Sequence, residues 1–507
     1  MNLYRYLLDG KEESCSAALL ASGKTYSYKD LASAATFISD ILLQHGGKRG
    51  DRALLMAESG FFWVAAYLGT LRAGLTCVPL SLRSSKEDVR YVCEAAEARF
   101  AFLGSLAIDT IGPLLQGLII VRERPVQSGS FAIDDLDALR QRSGKRPESA
   151  TEVHANDMAA LMFTSGSTGT PRGVMVSVGN IVANTDSIVE SLSLSIADRI
   201  MAVLPFHYCF GTSLLHSHLR VGGSIVVEPR FLYADAVLKR MQQTQCTGFA
   251  GVPSHYQILL RRSSIGAMKF PHLRYVQQAG GHLARSFIQD LQRALPGIQI
   301  YIMYGQTEAT ARLSCLPPEF LDRKMGSVGR AIPGVNLRIV DEAGRPVSPG
   351  QAGEIVAEGA NVTLGYWRDP DETAKRFRKG KLYTGDLATI DEDGFIYIVD
   401  RISEFVKCGG QRVSCRHIED LLLESRTLVE AAAIGIPDPI LGEAVKVFVV
   451  PRERSPKGCV DELMRICRSR LPPPLVPKQI TIVDALPKNA SGKVQRSAMR
   501  QSHNVHS

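Results

Sequence analysis

From residue 26 to 103, and again from 224 to 302, short apolar runs alternate with stretches of helical periodicity. The strand-sized runs are 53–57, 76–80, 100–103, 224–227, 248–252, 275–278 and 298–302. Between them lie helical patterns. The sequence Ser27-Tyr-Lys-Asp30 forms a capping box, and Leu31, Ala34, Ala35, Ile38 and Leu42 follow it at helical spacing until Gly46-Gly47. Further helices are expected over 61–72, closed by Gly74, and over 87–96, 234–243 and 285–295. Runs of this length, each followed by a helix, are what parallel sheets covered by helices require. At 507 residues the chain is too long for one core and divides into two to four domains.

The rhythm breaks near Gly326. Short apolar runs are then split by turn signals, at 341–344, 348–350 and 391–394, and helical periodicity is scarce. Residues 326–400 are therefore expected to form an antiparallel, β-barrel-like subdomain. Helices return at 416–425 and 460–470, and the remaining ~105 residues suffice for a small α+β domain. The expected architecture is α/β: a large N-terminal domain of helix-covered sheets over 1–400, carrying the β-rich subdomain, and a small C-terminal domain over 404–507.

Composition excludes several classes. A net charge of +8 without a long Lys/Arg block is no nucleic-acid footprint. The ten cysteines are scattered singly, without the spacing of a zinc site. No apolar run reaches the ~18 residues of a membrane span, and the N-terminus shows no secretory pattern. A cytoplasmic location is the expectation.

Five segments carry chemistry. The first, LMFTSGSTGTPRGVMVS at 161–177, has the Ser/Thr/Gly content of a phosphate cradle but fails the P-loop pattern. Apolar residues flank it on both sides, so it joins two strands as a hairpin. Its backbone N–H groups, its hydroxyls and Arg172 could wrap a polyphosphate, or it could be a plain surface hairpin. The second comprises Ala279-Gly280-Gly281 and Tyr304-Gly-Gln-Thr-Glu308, each just past a strand, where a carboxylate can hold magnesium or orient a nucleotide and bare backbone can meet a flat ring, or which are ordinary βα-loop residues. The third is Tyr383-Thr-Gly-Asp386 with Asp400-Arg401, a carboxylate suited to ribose hydroxyls or a plain surface ion pair. The fourth is Pro487-Lys-Asn-Ala-Ser-Gly-Lys493, which puts a lysine after a Gly-containing turn near the C-terminus and, taken alone, reads as a solvated loop lysine. The fifth is Pro205-Phe-His-Tyr-Cys-Phe-Gly211, in which His207 could gate a pocket or sit satisfied in the core. His216 and His218 have a spacing that suits a strand or loop, and no third metal ligand accompanies them.

The order of these segments closely resembles the adenylate-forming superfamily, which includes acyl-CoA synthetases, aryl-acid and amino-acid adenylating enzymes, and beetle luciferases. The resemblance runs from about Tyr26 to about Met499. It implies ATP-dependent activation of a carboxylic acid to an acyl-adenylate, with loss of pyrophosphate, and transfer of the acyl group to a thiol. It also implies roles. Thr164, Ser165, Gly166, Ser167, Thr168, Gly169 and Arg172 would hold the β- and γ-phosphates, and Gly280, Gly281, Tyr304 and Gly305 would form the adenine side. Thr307 would contact the α-phosphate, Glu308 would hold Mg2+, and Asp386 and Arg401 would bind ribose. Lys493 matches the adenylation lysine, and Lys407 the lysine that serves the thiol step on the opposite face of a mobile C-terminal domain. That domain would turn about a hinge at 401–403, centred on Ser403.

Three departures from the family pattern stand out: Arg172 in place of lysine, Ser403 in place of Asp or Lys, and Cys408-Gly409-Gly410 before Gln411. The pocket segment lacks the aspartate that holds an α-ammonium, and an unpaired ammonium in an apolar pocket is costly. The expected substrate is a fatty, aryl or modified polyketide-like acid, in a pocket of His207, Phe210, Gly211, Gly251 and Gly280. The acceptor is coenzyme A or the phosphopantetheine of a carrier protein. Intact Glu308, Asp386, Arg401 and Lys493 argue against a catalytically idle nucleotide-binding relative.

Overall fold

The computed structural model describes residues 1–115, 117–123, 150–165, 171–229, 231, 233–402, 404–408, 411–453, 458–489 and 492–505. Two large sheets dominate it. The first has six strands in the order Ile119–Arg122, Ala98–Leu103, Arg52–Met56, Thr76–Pro79, Met158–Ser165 and Pro171–Ser177. Its ladders are parallel except the last, an antiparallel hairpin. The second has nine strands, with the parallel set Gln299–Tyr304, Tyr275–Gln278, Gly248–Gly251, Arg199–Ala202, Ser224–Val227 and Ala17–Ala21 at its centre. Antiparallel strands close both of its edges.

The expected runs are continuous rather than alternating because both faces of these strands are buried. In the first sheet Ala53 and Leu55 point into the core between the sheets, while Leu54 and Met56 join the outer cluster packed by helix Lys86–Ala96. In the second, Ile200 and Ala202 face inward, while Met201, Val276 and Ile300 face helices Ala234–Gln243, Pro253–Arg262 and Arg285–Ala294. Helices Tyr28–Gln44 and Phe61–Arg72 contribute Leu31, Ile38, Trp63 and Tyr67 to the inner core.

Two helices on the way to the site have no counterpart in the periodicity. Helix Cys209–Val221 is buried at every position from Cys209 to Leu219, so it shows no polar stripe. Helix Val178–Leu192 turns Asn180, Asn184, Thr185 and Ser187 inward, which breaks the apolar pattern. His216 and His218, expected in a strand or loop, both sit in the Cys209–Val221 helix. His216 hydrogen-bonds Tyr67 (2.8 Å) and His218 hydrogen-bonds Tyr275 (3.2 Å), so the two rings serve different neighbours.

Residues 335–401 form an antiparallel sheet of Val335–Val340, Gly353–Gly359, Phe377–Arg378, Lys381–Ile390 and Ile396–Arg401, whose ladders follow an open path. Beyond it lies an α+β unit built on a long hairpin, Leu428–Asp438 with Gly442–Pro451. Val406–Cys408, Gln411–Val413 and Gln479–Ile482 extend the hairpin into a sheet, and helices Cys415–Leu423 and Cys459–Arg470 belong to the same unit. Ser403, Gly409 and Gly410 lie outside the described residues. Among the described residues no helix is long and apolar enough to cross a membrane.

The capping box at Ser27 is formed as expected: Asp30 N–H donates to Ser27 Oγ (3.1 Å) and Ser27 N–H to Asp30 Oδ2 (2.9 Å). Ser27→Ala leaves Asp30 N–H without its cap and should destabilise the protein by ~1 kcal/mol in chemical denaturation. An unchanged denaturation midpoint would show that the helix start is held by packing alone.

Candidate active site

The carboxyl ends of strands Gly248–Gly251, Tyr275–Gln278 and Gln299–Tyr304 lie side by side, where open parallel sheets place their sites. Their following loops carry Val252-Pro253, Ala279-Gly280-Gly281 and Gly305–Glu308. Gly280 has φ +81°, and a Cβ there would stand 2.8 Å from Tyr208 Oη and 3.4 Å from Lys493 Cε. Bare backbone is therefore required at the point where the loop meets the lysine. Gly281 packs on Pro253. Gly305 has a local reason of its own, since its Cβ would fall 1.9 Å from the Ala311 carbonyl oxygen.

Asp386 and Arg401 are direct cross-strand partners, which accounts for their pairing. Arg401 Nε donates to Asp386 Oδ1 (3.1 Å), and Tyr304 Oη donates to Asp386 Oδ2 (2.6 Å). Burial, reinforced by the Asp386 charge, pushes the Tyr304 phenol well above its ordinary range, so it stays a donor. Asp386 raises the Arg401 pKa. Glu308 opens on the same side. Tyr366 Oη donates to its Oε1 (2.9 Å), and Thr363 holds its backbone carbonyl through both N–H (3.0 Å) and Oγ1 (2.9 Å). Thr307 Oγ1 reaches Cys209 Sγ at 3.5 Å.

The Ser/Thr/Gly segment is a hairpin, as its flanks imply, with Thr164 opposite Arg172. Gly166, Ser167, Thr168 and Gly169 lie outside the described residues, as does the Ser165 side chain. Arg172 is engaged by acids: Nε lies 3.3 Å from Asp369 Oδ2 and Nη1 3.5 Å from Glu372 Oε1, at the start of helix Pro370–Arg376.

Lys493 enters this cluster from the C-terminal unit. Its ammonium sits over the Tyr208 ring, 5.2 Å from the centroid, on a half-buried side chain, and no carboxylate lies within salt-bridge distance among the described residues. Burial opposes its charge, but Tyr208 and Cys209 outweigh that, and its pKa ends above the usual lysine value. The turn that presents it is tightly built. Lys493 N–H donates to Asn489 Oδ1 (3.0 Å), Asn489 N–H to the Lys493 carbonyl (2.9 Å), and Ser254 Oγ to the Gly492 carbonyl (3.1 Å). Gly492 has φ +81°, and a Cβ there would lie 3.2 Å from Ser254 Oγ and from Val252 Cγ2. His282 Nε2 and Asp420 Oδ1, 2.7 Å apart, make a second tie between the units. Lys407 is exposed on strand Val406–Cys408, its backbone N–H bound to Glu443 Oε2 (2.6 Å), and does not join the cluster.

The pocket residues divide. Tyr208, which the sequence did not single out, faces Lys493 and Gly280 where His207 was expected to act. Helical position explains this: Tyr208 caps the Cys209–Val221 helix at the strand ends. His207 is held neutral by burial, its pKa lowered to about 4. Phe210 is buried against the Arg312 guanidinium, 5.6 Å from ring to Cζ. A Cβ on Gly211 would lie 2.1 Å from the Pro205 carbonyl oxygen, so that glycine serves the helix start. Gly251 is hemmed in by His255, Phe249 and Tyr256. An apolar cavity lies behind Cys209, lined by Trp63, Tyr67, Met162, Thr212 and His216 and by none of the five expected pocket residues.

With this geometry in place, comparison with known proteins is unambiguous. The family model described as AMP-binding enzyme matches residues 11–367, and that of the AMP-binding enzyme C-terminal domain matches 417–493. The chain belongs to the AMP-binding enzyme family. It is 30% identical to a feruloyl-CoA synthase of Amycolatopsis over 490 residues, 96% of this chain and 95% of the relative. It is 35% identical to a 2-succinylbenzoate–CoA ligase of Geobacillus over 375 residues, 74% of this chain and 75% of that one. The ATP-bound crystal structure of MatB from Rhodopseudomonas palustris superposes with TM-score 0.89 at 29% identity, covering 99% of this chain and 98% of that one. The fold is that of adenylate-forming enzymes, and the protein is an AMP-forming acid–thiol ligase: it activates a carboxylic acid as its acyl-adenylate and passes the acyl group to a thiol.

Buried histidines set an acid limit. Burial lowers His207 and His218 to about 4 and His216 and His255 to about 3, below the ordinary histidine value. The unfolded chain takes up these protons first, so the histidines' contribution to stability is complete above pH ~6.5 and is lost as the pH falls towards ~3. The melting temperature should drop steeply over that window. A flat profile would mean that these rings are solvated.

Proposed function

We propose that the protein forms an acyl-CoA from a small carboxylic acid without a free α-amino group, using MgATP. The observation that carries this reading is Lys493: a half-buried ammonium over Tyr208 and beside Gly280, with no acidic partner among the described residues. A partly desolvated cation without an acid is best completed by an anion, and ATP with a carboxylate supplies one. The residues fit the nucleotide. Asp386, oriented by Tyr304 and Arg401, is placed to accept ribose hydroxyls, and Gly280 and Gly281 leave room for the adenine ring.

Two anions must meet for the carboxylate to attack the α-phosphate. Lys493 and Thr307 stabilise the charge that develops there. Glu308, steadied by Tyr366, would hold a magnesium ion, which neutralises phosphate charge as a Lewis acid. The 164–169 hairpin tip would carry the β- and γ-phosphates, with Arg172 fixing its base through Asp369 and Glu372. The docked position of Lys493 suits the adenylation step. For the thiol step the C-terminal unit turns about Ser403, withdrawing Lys493 and bringing in Lys407. Coenzyme A is favoured over a carrier-protein arm because the named relatives are CoA ligases, and an aryl acid is favoured by the feruloyl and succinylbenzoate names. Ten free cysteines suit a cytoplasmic location.

Lys493→Ala should reduce acid-dependent ATP–pyrophosphate exchange by ~100-fold or more, while undiminished exchange would remove its assigned role. Lys407→Ala should spare that exchange and slow thioester formation. Equal loss of both activities would reject the division between the two lysines. Tyr366→Phe should raise the magnesium concentration needed for half-maximal exchange, and an unshifted magnesium curve would take Glu308 out of the metal site.

A further inference from the structure

Arg312 lies against the Phe210 ring, 5.6 Å from Cζ to the centroid. It is only 2% exposed and has no carboxylate within salt-bridge distance among the described residues. Its Nη2 donates to Gln277 Oε1 (3.2 Å), while its Nη1 has no partner among the described residues. Gln277 is itself 1% exposed, and its Nε2 is also without a partner among them. Both orphan atoms are N–H donors on side chains already hydrogen-bonded to each other. The partner they lack is therefore an acceptor, and the guanidinium charge calls for an anionic one. Burial brings Arg312 down to about 10, so it remains a cation at neutral pH. The groups that interact with it most strongly are Cys315, Tyr275 and Cys209, and burial raises the pKa of all three, which keeps them uncharged.

The arginine is held in place. Asn184 binds its peptide at both ends, through Nδ2 to the carbonyl (2.9 Å) and Oδ1 to the N–H (3.3 Å), and Asn361 Nδ2 binds the same carbonyl (3.0 Å). Gln277 and Ala279 share one face of their strand, so Gln277 sits one pleat, ~7 Å, deeper than the Gly280 loop. Cys209 interacts electrostatically with both Lys493 and Arg312. Each residue of the Cys209-Phe210 pair therefore has a cation in its surroundings: Lys493 near Cys209, and Arg312 over the Phe210 ring.

We propose that the acid activated by this enzyme is a dicarboxylic acid, whose second carboxylate docks on Arg312 Nη1 and Gln277 Nε2 while the first reacts beside Lys493. The assignment rests on reading the space at Gly280 and Phe210 as the acid pocket. It narrows the substrate from any acid lacking an α-ammonium to one bearing an anion at its far end. A site built to hydrogen-bond a substrate group strongly rejects the analogue without it, because its own buried donors are then unpaired.

The test is pyrophosphate exchange by the full chain with matched acids, aliphatic and aromatic, of graded length, each pair differing only in a distal carboxylate or methyl group. At least one diacid should exceed its monoacid partner by ~100-fold in kcat/KM. Arg312→Met should bring that ratio close to one, and Gln277→Leu should lower it by a smaller factor. If Arg312→Met does not fold, Gln277→Leu carries the comparison. Preference for the monoacid throughout, or a ratio unaltered by either variant, would overturn the proposal and leave the orphan donors to a sealed water. Melting temperatures with acid alone separate the two readings. If no acid supports exchange, yet a diacid stabilises the wild type and not Gln277→Leu, the adenylation reading fails and the dicarboxylate site stands. Absence of both exchange and stabilisation by diacids overturns the site.

Discussion

The structure turns on a lysine that is drawn out of bulk water without gaining an acid. Lys493 packs half-buried against Tyr208 at the seam between the large sheets and the C-terminal unit. An ammonium without an acidic partner in such a place invites an anion to complete the site during turnover. Much of the surrounding construction serves that placement. Gly280 and Gly492 both take positive φ and both lack the Cβ that would push the two units apart. Ser254, His282 and Asp420 tie the units at the same seam. Further back, Arg496 binds Glu404 (2.9 Å) and Glu419 (2.7 Å), and Lys488 binds Glu430 (2.5 Å), anchoring the tail that carries the lysine.

Around this cation the other charges are held in pairs. Asp386 has Arg401 and Tyr304, Arg172 has Asp369 and Glu372, and Glu308 has Tyr366. Pairing fixes orientation in advance, which is how a site lowers the reorganisation needed in the transition state. Lys493 and Arg312 have no carboxylate within salt-bridge distance among the described residues, and both interact electrostatically with Cys209.

Much of this was legible in the sequence where local patterns are strong. The strands at 53–57 and 275–278, the Phe61–Arg72 helix and the Ser27 capping box are local in origin, and the structure keeps them. The hairpin form of the Ser/Thr/Gly segment followed from its flanks. What escaped was whatever depends on burial from all sides. Helix Cys209–Val221 has no polar face to betray its period, so Tyr208 could not be placed above Lys493 and His207 was given its part. The long 428–451 hairpin escaped because Val, Ala and Ile runs buried on both faces look alike in strands and helices. Gly211 and Gly305 read as pocket and nucleotide residues, whereas carbonyl oxygens about 2 Å from where their Cβ atoms would be give each a structural reason as well. Arg312 offered no signal, since a lone arginine four residues after Glu308 looks like surface until its burial is known.

The central claim is that a carboxylate attacks ATP at the α-phosphate in a step complete without the thiol. Incorporation of labelled pyrophosphate into ATP by the wild-type protein, with an acid and magnesium but no coenzyme A, tests it most directly. The account predicts label in ATP that depends on the acid. Release of ADP and phosphate, or exchange that appears only when a thiol is added, would contradict it.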